Sequence, residues 1–497
     1  MKIVKCTFYN YRNLDGVTLY FDESCNFFVG ENNIGKSNAL YALNVMFSGE
    51  DFSDRDFFDC GKPIEIAFTV KTKDKRENYG SILKEYRLIK NKGEKKKIVD
   101  FSGEKVHALE LKRILIGVND KKSIISPFAK NKINAMLNNL QAVKRAKKQE
   151  GDYSFIDFFS GDENALKNQG YTYYFVKKVL LKILGGLKGK GEEQSRIILF
   201  DQPEKNLHPF AQKTLINDIL RIVSGKDNDF NRLIDELFGV KRLEAQLIAV
   251  SHSDRILSER YESIIRFFRK DNEVTAKSGS NIKLKKDDKL ALSKQLIMQF
   301  PYFSLAIFAK AVILVEGVSE YGAMGEFAKT LNIDLDYLGV LIVSANGEGN
   351  ITSFSSLLEA FGIKVFAVKD RDVFCSKERN VTYTDFIDFE DEVVRAADLA
   401  SLEKIADYLG CLPLSVSALP LERKNERYKY LPYKRKKPFT DKDLRDNDVR
   451  RLAYVSALSA KKSVITGKII GKVLSEEQIP SVYKRVLLSA KEYASKN

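Results

Sequence analysis

Apolar and polar positions along the chain change their period several times, and each change marks an element. KIVKCTFYNY (2–11) alternates loosely, and SCNFFVG (24–30) is a short apolar run closed by glycine, so both predict strands. Behind a glycine loop, SNALYALNVMF (37–47) carries apolar residues at helical spacing. IEIAFTV (64–70) predicts another strand. From about 71 to 150 the pattern turns basic and polar, with KTKDKRE, KNKGEKKK and KRAKKQE. An insertion of edge strands followed by helices around 123–148 is expected there. Its lysines suit a solvated helical face or contact with DNA. GGLKGKGEEQS (185–195) predicts a flexible turn. The apolar strand RIILFD, a helix from Pro209 and the strand QLIAVSH (246–252) follow it.

Residues 289–311 predict a helical connector. Beyond it, KAVILVEG, GVLIVSA and IKVFAVKDRD are β-branched runs separated by the helical patterns YGAMGEFAKTL and SFSSLLEAF. Strands alternating with helices predict a parallel α/β sheet. The tail, roughly 400–497, predicts mainly helix, and no internal repeat is visible. The chain is therefore read as α/β in two domains. The first spans 1–300, with the partly helical insertion at about 71–160, and the second spans 306–497 with its helical tail.

Length, 497 residues, is compatible with about three domains. A hydrophobic fraction of 44% with 30% charged residues excludes a disordered, collagen-like or small disulfide-stapled chain. Lys and Arg number 82 against 67 Asp and Glu, giving +15. That excess favours an anionic partner such as nucleic acid, and it equally aids solubility. Five cysteines, at 6, 25, 60, 375 and 411, form no CxxC pair, and with three histidines a zinc site of the usual kind is not expected. No apolar stretch approaches the roughly 18 residues that span a bilayer. The start, MKIVKCTFYNYRNL, is too polar for a secretory signal. A reduced, cytoplasmic protein with no membrane partner is expected.

Two constellations carry chemistry. Gly30-Glu31-Asn32-Asn33-Ile34-Gly35-Lys36-Ser37 fits GxxxxGK[ST], after a strand and before a helix. Backbone N–H groups of such a loop form an anion-binding nest at a helix N-terminus. Lys36 would reach the outer phosphates and Ser37 would offer its hydroxyl to Mg²⁺. Asp201, at the C-terminal end of the apolar run Ile197–Phe200, suits the same cation. His252 ends its strand where a γ-phosphate could lie.

These residues resemble those of an ABC-type ATPase of the SMC-like branch. The resemblance implies ATP as ligand and a nucleotide site that includes Gly30, Asn32, Asn33, Gly35, Lys36, Ser37, Asn38, Asp201, Gln202 and His252. Tyr11-Arg12-Asn13 resembles that branch's basic first-strand segment, which places Arg12 near the phosphates. The signature segment is matched poorly, by Asn168-Gln169-Gly170 or Ser160-Gly161. Such ATPases carry Glu directly after the Asp201 position to polarise water, and this chain has Gln202. An amide can orient water but cannot accept its proton. Glu204 stands two residues further on, beyond the place of that glutamate. Tight ATP binding with slow hydrolysis is expected, ATP acting as a clamp or sensor.

The second constellation is acidic. Glu316 follows Val312–Val315, and Glu320 lies one helical turn later, able to face the same side. Asp370 and Asp372 follow Val365–Lys369, an Asp-x-Asp clamp at a strand end. Four acids there repel unless a cation neutralises them, which predicts Mg²⁺ or Mn²⁺. Glu316-Gly317-x-x-Glu320, Ser344-Ala345-Asn346-Gly347 and Asp370-x-Asp372 resemble the motifs of a Toprim domain. An SMC-like ATPase fused to Toprim resembles the OLD (overcoming lysogenisation defect) nucleases, the family that includes Gabija-type antiphage nucleases. That resemblance covers nearly the whole chain, more vaguely at 71–150 and in the tail. It implies a metal-dependent DNA endonuclease, dimeric or tetrameric through the ATPase half, active in defence, with a partner protein or nucleic acid of that system. Val318, after the first motif's glycine, brings no ligand. The resemblance also implies a late lysine against the scissile phosphate. Lys461, Lys462 and Lys468 are candidates, with Lys462 favoured, and Glu390 and Glu392 are candidates for a second metal shell.

Arg423-Lys424, Arg427–Tyr430 and Tyr433–Lys437 interleave basic and aromatic residues, suited to phosphates and unpaired bases. Two other readings share these residues. One is a DNA-binding ATPase whose Toprim half is an inert scaffold. The other is a toxin effector held inactive by a partner.

Overall fold

The computed structural model describes residues 1–73, 81–100, 102–104, 115–116, 193–205, 207–257, 260–283, 299–371, 381–416 and 437–496, with a few single positions between them. The chain divides into two compact units, Met1–Lys283 and Leu284–Asn497. The α/β expectation is met in both.

In the first unit the strands are β1 (Lys2–Tyr9), β2 (Thr18–Tyr20), β3 (Cys25–Gly30), β4 (Ile64–Lys73), β5 (Ser81–Lys90), β6 (Lys97–Asp100), β7 (Leu115–Ile116), β8 (Glu193–Asp201), β9 (Arg242–Val250), β10 (Ile264–Lys270) and β11 (Glu273–Ser278). The helices are α1 (Lys36–Phe47), α2 (Pro209–Val223) and α3 (Asn228–Phe238). One sheet is antiparallel, in the order β2-β1-β4-β5-β6. The other runs β11-β10-β3-β9-β8-β7 and is parallel except for the β10–β11 hairpin. The hairpin turns on Asp271 and Asn272, both at positive φ, as a tight two-residue turn requires. The edge strands expected after residue 71 are β5 and β6. They pair onward from β4 and continue the first sheet, so the basic stretch up to Asp100 forms its edge. The expected helices around 123–148 lie outside the described residues except for single positions.

The two sheets share a core in which Ile3, Phe8, Phe28, Leu40, Leu43, Leu199, Ile248 and Phe267 are buried. Gln246, wholly buried on β9, joins them. Its side chain accepts from Ile3 N (2.8 Å) and donates to the carbonyls of Ile3 and Asp22 (2.8 Å each). A polar residue in a core is tolerated only with such complete pairing.

The second unit holds β12 (Ala311–Val315), β13 (Val340–Ser344), β14 (Lys364–Lys369) and β15 (Val381–Tyr383). They form a parallel sheet in the order β13-β12-β14-β15. Its helices are α4 (Val318–Thr330), α5 (Leu335–Leu338), α6 (Glu348–Ala360), α7 (Phe389–Ala396), α8 (Leu399–Tyr408), α9 (Asn447–Ala460), α10 (Val464–Val473) and α11 (Ser481–Lys496). β12 is buried along its whole length, which explains its uninterrupted apolar run. The mainly helical tail is observed as α8 to α11. β15 was not anticipated, because three half-buried residues carry too little periodicity to read.

α4 and α10 meet backbone to backbone. A Cβ added at Gly467 would lie 1.8 Å from Ser319 O, and one at Gly322 would lie 2.1 Å from Val464 O. Only glycine permits that approach.

Candidate functional sites

The phosphate loop runs from the end of β3 into α1. Gly30 has φ +135°, and a Cβ there would sit 2.2 Å from Phe267 O on β10. Gly35 has φ +108° and packs on Leu14 and Asn13. Both glycines are thus fixed by conformation and by space. No side chain caps α1, so its first N–H groups stay available for an anion. Asn32, Asn33 and Ser37 are exposed. Lys36 is 4% exposed, and its ammonium donates to Gly30 O (2.9 Å) and Glu31 O (2.5 Å). Burial pulls Lys36 down to about 8, with Asp201 and Glu31 opposing.

β9 lies between β3 and β8, so the end of β9 is flanked by the loop and by Asp201. Asp201 is exposed at the end of β8 and its charge acts on both Lys36 and His252. Burial and the Lys36 charge lower the His252 imidazole, with Asp201 opposing, so the neutral ring is favoured. Gln202 adopts φ +49° and donates its N–H to Val250 O (3.0 Å). That turn brings Glu204 back against the end of β9. Glu204 is buried, and its Oε1 accepts from Ser251 Oγ (2.8 Å) and His252 N (3.0 Å). The sequence alone had set Glu204 aside on separation. The signal that could have found it is the Pro203 between the two, which reverses the chain.

Arg12, at φ +43°, is held by an ion pair. Its Nε and Nη2 lie 2.7 and 2.6 Å from Asp56 Oδ1, and Nη1 donates to Asn38 Oδ1 (2.5 Å). The guanidinium lies over the rings of Tyr11 and Tyr41. Arg12 and Asn38 therefore meet beside the start of α1, with Asn38 also donating to Asn13 Oδ1 (2.8 Å). The signature candidates Asn168-Gln169-Gly170 and Ser160-Gly161 lie outside the described residues.

In the second unit, Glu316 follows β12 and Asp370 follows its neighbour β14. Asp370 N donates to Glu316 Oε2 (3.3 Å). The Ser344–Gly347 loop closes on the same point, with Ala345 N on Val315 O (2.9 Å) and Gly347 N on Glu316 O (3.2 Å). Glu320, in the first turn of α4, is 5% exposed and folds back so far that a Cβ on Gly317 would meet its Oε2 at 2.6 Å. Burial pushes Glu320 up, Glu390 and Glu316 add to this, and Lys462 opposes.

Lys462 is the lysine of the three that joins the acids. Its Nζ lies 2.9 Å from Glu390 Oε2 and 3.4 Å from Asp388 Oδ2. Burial would lower this ammonium, but Glu390, Asp370 and Glu320 raise it above the ordinary lysine value. Lys461 caps the end of α9, and Lys468 is exposed on α10. Glu390 is fully buried, and its Oε1 has no hydrogen-bond partner among the described residues. Glu392 accepts from Phe386 N (2.8 Å) and serves that turn. Asp372 and the basic–aromatic stretch 423–436 lie outside the described residues. Asp388, which caps α7, was not anticipated.

Of the four acids expected from sequence, Glu316, Glu320 and Asp370 lie among the described residues and act on one neighbourhood. Among the described residues no group of three or more His, Cys, Asp or Glu side chains converges closely enough to hold a metal ion. The acids are instead interleaved with the Lys462 ammonium, which relieves their mutual repulsion. The donor chemistry still fits a hard divalent cation: carboxylate oxygens at adjacent strand ends, and one buried oxygen, Glu390 Oε1, without a partner. Among the described residues no helix is long and apolar enough to cross a membrane.

Comparison with known proteins agrees with this geometry. Residues 307–372 match the family described as "Overcoming lysogenization defect protein-like, TOPRIM domain", and residues 1–150 match an AAA ATPase domain. The Old nuclease of Escherichia phage P2 is 25% identical over 208 residues, which cover 40% of this chain and 32% of that protein. The match thus spans about a third of the relative's length. The C-terminal region of the Burkholderia pseudomallei OLD protein aligns at 17% identity over 38% of this chain and 99% of that one, with a TM-score of 0.27. The SMC head domain from Thermotoga maritima aligns at 14% identity over 57% of this chain and all of that one, with a TM-score of 0.29. The expected pairing of an ATPase domain with an OLD-like Toprim region is borne out by the family matches.

Proposed function

We propose that this chain, an ATPase–Toprim protein of the OLD family, is a metal-dependent DNA endonuclease whose activity is governed by ATP binding. The observation that carries the reading is the acidic strand-end site. Glu316 and Asp370 stand side by side at the carboxyl ends of parallel strands, where ligands bind in α/β sheets, with Glu320 and Lys462 beside them.

In this reading residues 1–300 are the ATPase domain and 306–497 the Toprim domain. Glu316, Glu320, Asp370 and Asp372 would hold Mg²⁺ or Mn²⁺. A divalent cation there supplies an activated water and neutralises the leaving oxygen. Lys462 would move from Glu390 to the scissile phosphate, offsetting the charge that DNA brings to an acidic site. The basic stretch 423–437 would hold the flanking backbone, which makes binding salt-sensitive.

In the nucleotide half, Gly30, Asn32, Asn33, Gly35 and Lys36 would cradle the phosphates, and Arg12 and Asn38 would brace the loop. Ser37 and Asp201 would hold Mg²⁺, while Gln202 and His252 would face the γ-phosphate. ATP would serve as a clamp more than as fuel, and the chain would pair through this half into a dimer or tetramer. Antiphage defence, with a partner protein or nucleic acid, is the role this chemistry suits.

The rival reading is a DNA-binding ATPase with an inert Toprim scaffold. Plasmid incubated with Mg²⁺ or Mn²⁺, with and without ATP, separates the two. Cleavage that is lost in Asp370→Ala, with the fold intact by circular dichroism, supports the nuclease. Lys36→Ala shows whether nucleotide controls it. No cleavage under any metal or nucleotide condition establishes the scaffold.

A further inference from the structure

We infer that Glu204, and not Gln202, is the acid that supports γ-phosphate cleavage in the nucleotide half, and that it does so as a positioning residue acting through His252. The inference rests on the ATP-site reading above.

Three observations meet at this side chain. First, the turn at Gln202 commits its backbone N–H to Val250 O and sends the chain back through Pro203, so that Glu204 is the residue presented to the end of β9. Second, one oxygen of Glu204 takes hydrogen bonds from two consecutive residues, Ser251 through its hydroxyl and His252 through its backbone N–H. The contact continues outward. Ser253 N donates to Ser251 Oγ (2.9 Å) and Ser253 Oγ donates to Gln212 Oε1 (2.6 Å), which ties the segment to α2. The backbone from which the His252 imidazole projects is thus set by Glu204. Third, Glu204 is 6% exposed, yet its other oxygen, Oε2, is buried with no hydrogen-bond partner among the described residues.

The third observation separates function from scaffolding. A glutamine could accept both hydrogen bonds at Oε1, so an anchor alone does not need an acid. Keeping a buried carboxylate oxygen unpaired is unfavourable. What the acid adds is charge. Hydrogen bonds to a carboxylate are about twice as strong as those to an amide, so the His252 backbone is held more tightly. Burial and the Asp201 charge raise the Glu204 carboxyl, and the hydrogen bonds from His252 and Ser251 oppose them by favouring the charged form. The acid missing directly after Asp201 is thereby supplied from the far side of the turn.

Steady-state ATP turnover and fluorescent-ATP binding test this on the full chain, comparing parent, Glu204→Gln, His252→Ala and the Glu204→Gln/His252→Ala double variant. Glu204→Gln should lower kcat by about tenfold or more while KM and Kd stay within about threefold, because the group acts after binding. The double variant should be no slower than His252→Ala, since the first acts through the second. Glu204→Asp keeps the charge with a shorter reach and should fall between parent and Glu204→Gln; it replaces Glu204→Gln if that variant does not fold. The inference is overturned if the acid-to-amide change leaves kcat within about twofold of the parent, if the losses multiply in the double variant, or if the parent binds ATP without turning it over. Failure of the ATP-site reading itself looks different: Lys36→Ala would then bind the fluorescent nucleotide as tightly as the parent.

Discussion

Gly467→Ala should loosen the second unit, although alanine is the better helix former. Gly467 lies inside α10, where exchange of Gly for Ala ordinarily gains up to about 1 kcal/mol. Here the new methyl would lie 1.8 Å from Ser319 O, 2.7 Å from Ser319 C and 2.9 Å from Ala323 N. All three are backbone atoms of α4, which cannot rotate away. The helices would have to separate by on the order of 1.5 Å to restore ordinary contact near 3.5 Å. Overpacking of this kind costs about 1–3 kcal/mol and occasionally more, so the net change is about 1–2 kcal/mol of destabilisation. For a unit of this size that lowers Tm by about 2–8 °C.

Gly325→Ala is the matched control. It sits in α4 of the same unit, has no atom within 4 Å of its would-be Cβ, and should raise the same transition by about 2–4 °C. Thermal melts followed at 222 nm give both numbers. If the Gly467 variant melts with or above the Gly325 variant, the close α4–α10 packing is wrong. The same displacement would draw Lys462, just before α10, from Glu390 and Asp388.

Three other outcomes are expected. Arg12→Ala leaves Asp56, 1% exposed, with its Oδ1 unpaired and should cost about 1–3 kcal/mol in a denaturant melt; a loss below about 0.3 kcal/mol would contradict the buried pair. Gln202→Glu should speed ATP turnover, because a carboxylate after Asp201 can take the proton that an amide cannot; unchanged turnover would mean that the turn keeps this side chain from the phosphates. Glu320→Gln should flatten the pH dependence of stability measured in a chelator. The folded carboxyl is pushed up to about 7, above an unfolded value of about 4.3. The folded state therefore binds more protons between those values, and parent stability falls as pH rises through that window. A parent that gains stability from pH 5 to 7 relative to the glutamine variant would reverse this sign.

Local pattern determined much of this protein. Gly30–Ser37 stands where strand meets helix because apolar run, glycines and helical period follow one another without a gap. Val312–Val315 and Val365–Val368 name themselves as buried parallel strands, and the acids after them fall at the carboxyl ends that such strands share. Those features depend on neighbours in sequence, which is why they are legible. What tertiary structure decided is which distant groups share a space. The turn at Gln202 places Glu204 on the His252 backbone. Helix packing through Gly322 and Gly467 places Lys462, more than a hundred residues from Glu320, against Glu390 and Asp388. The antiparallel pairing of β4 with β5 decides which sheet the expected edge strands extend. Pairings of that kind are set by burial and close packing between elements, and one-dimensional periodicity carries no record of which faces will meet.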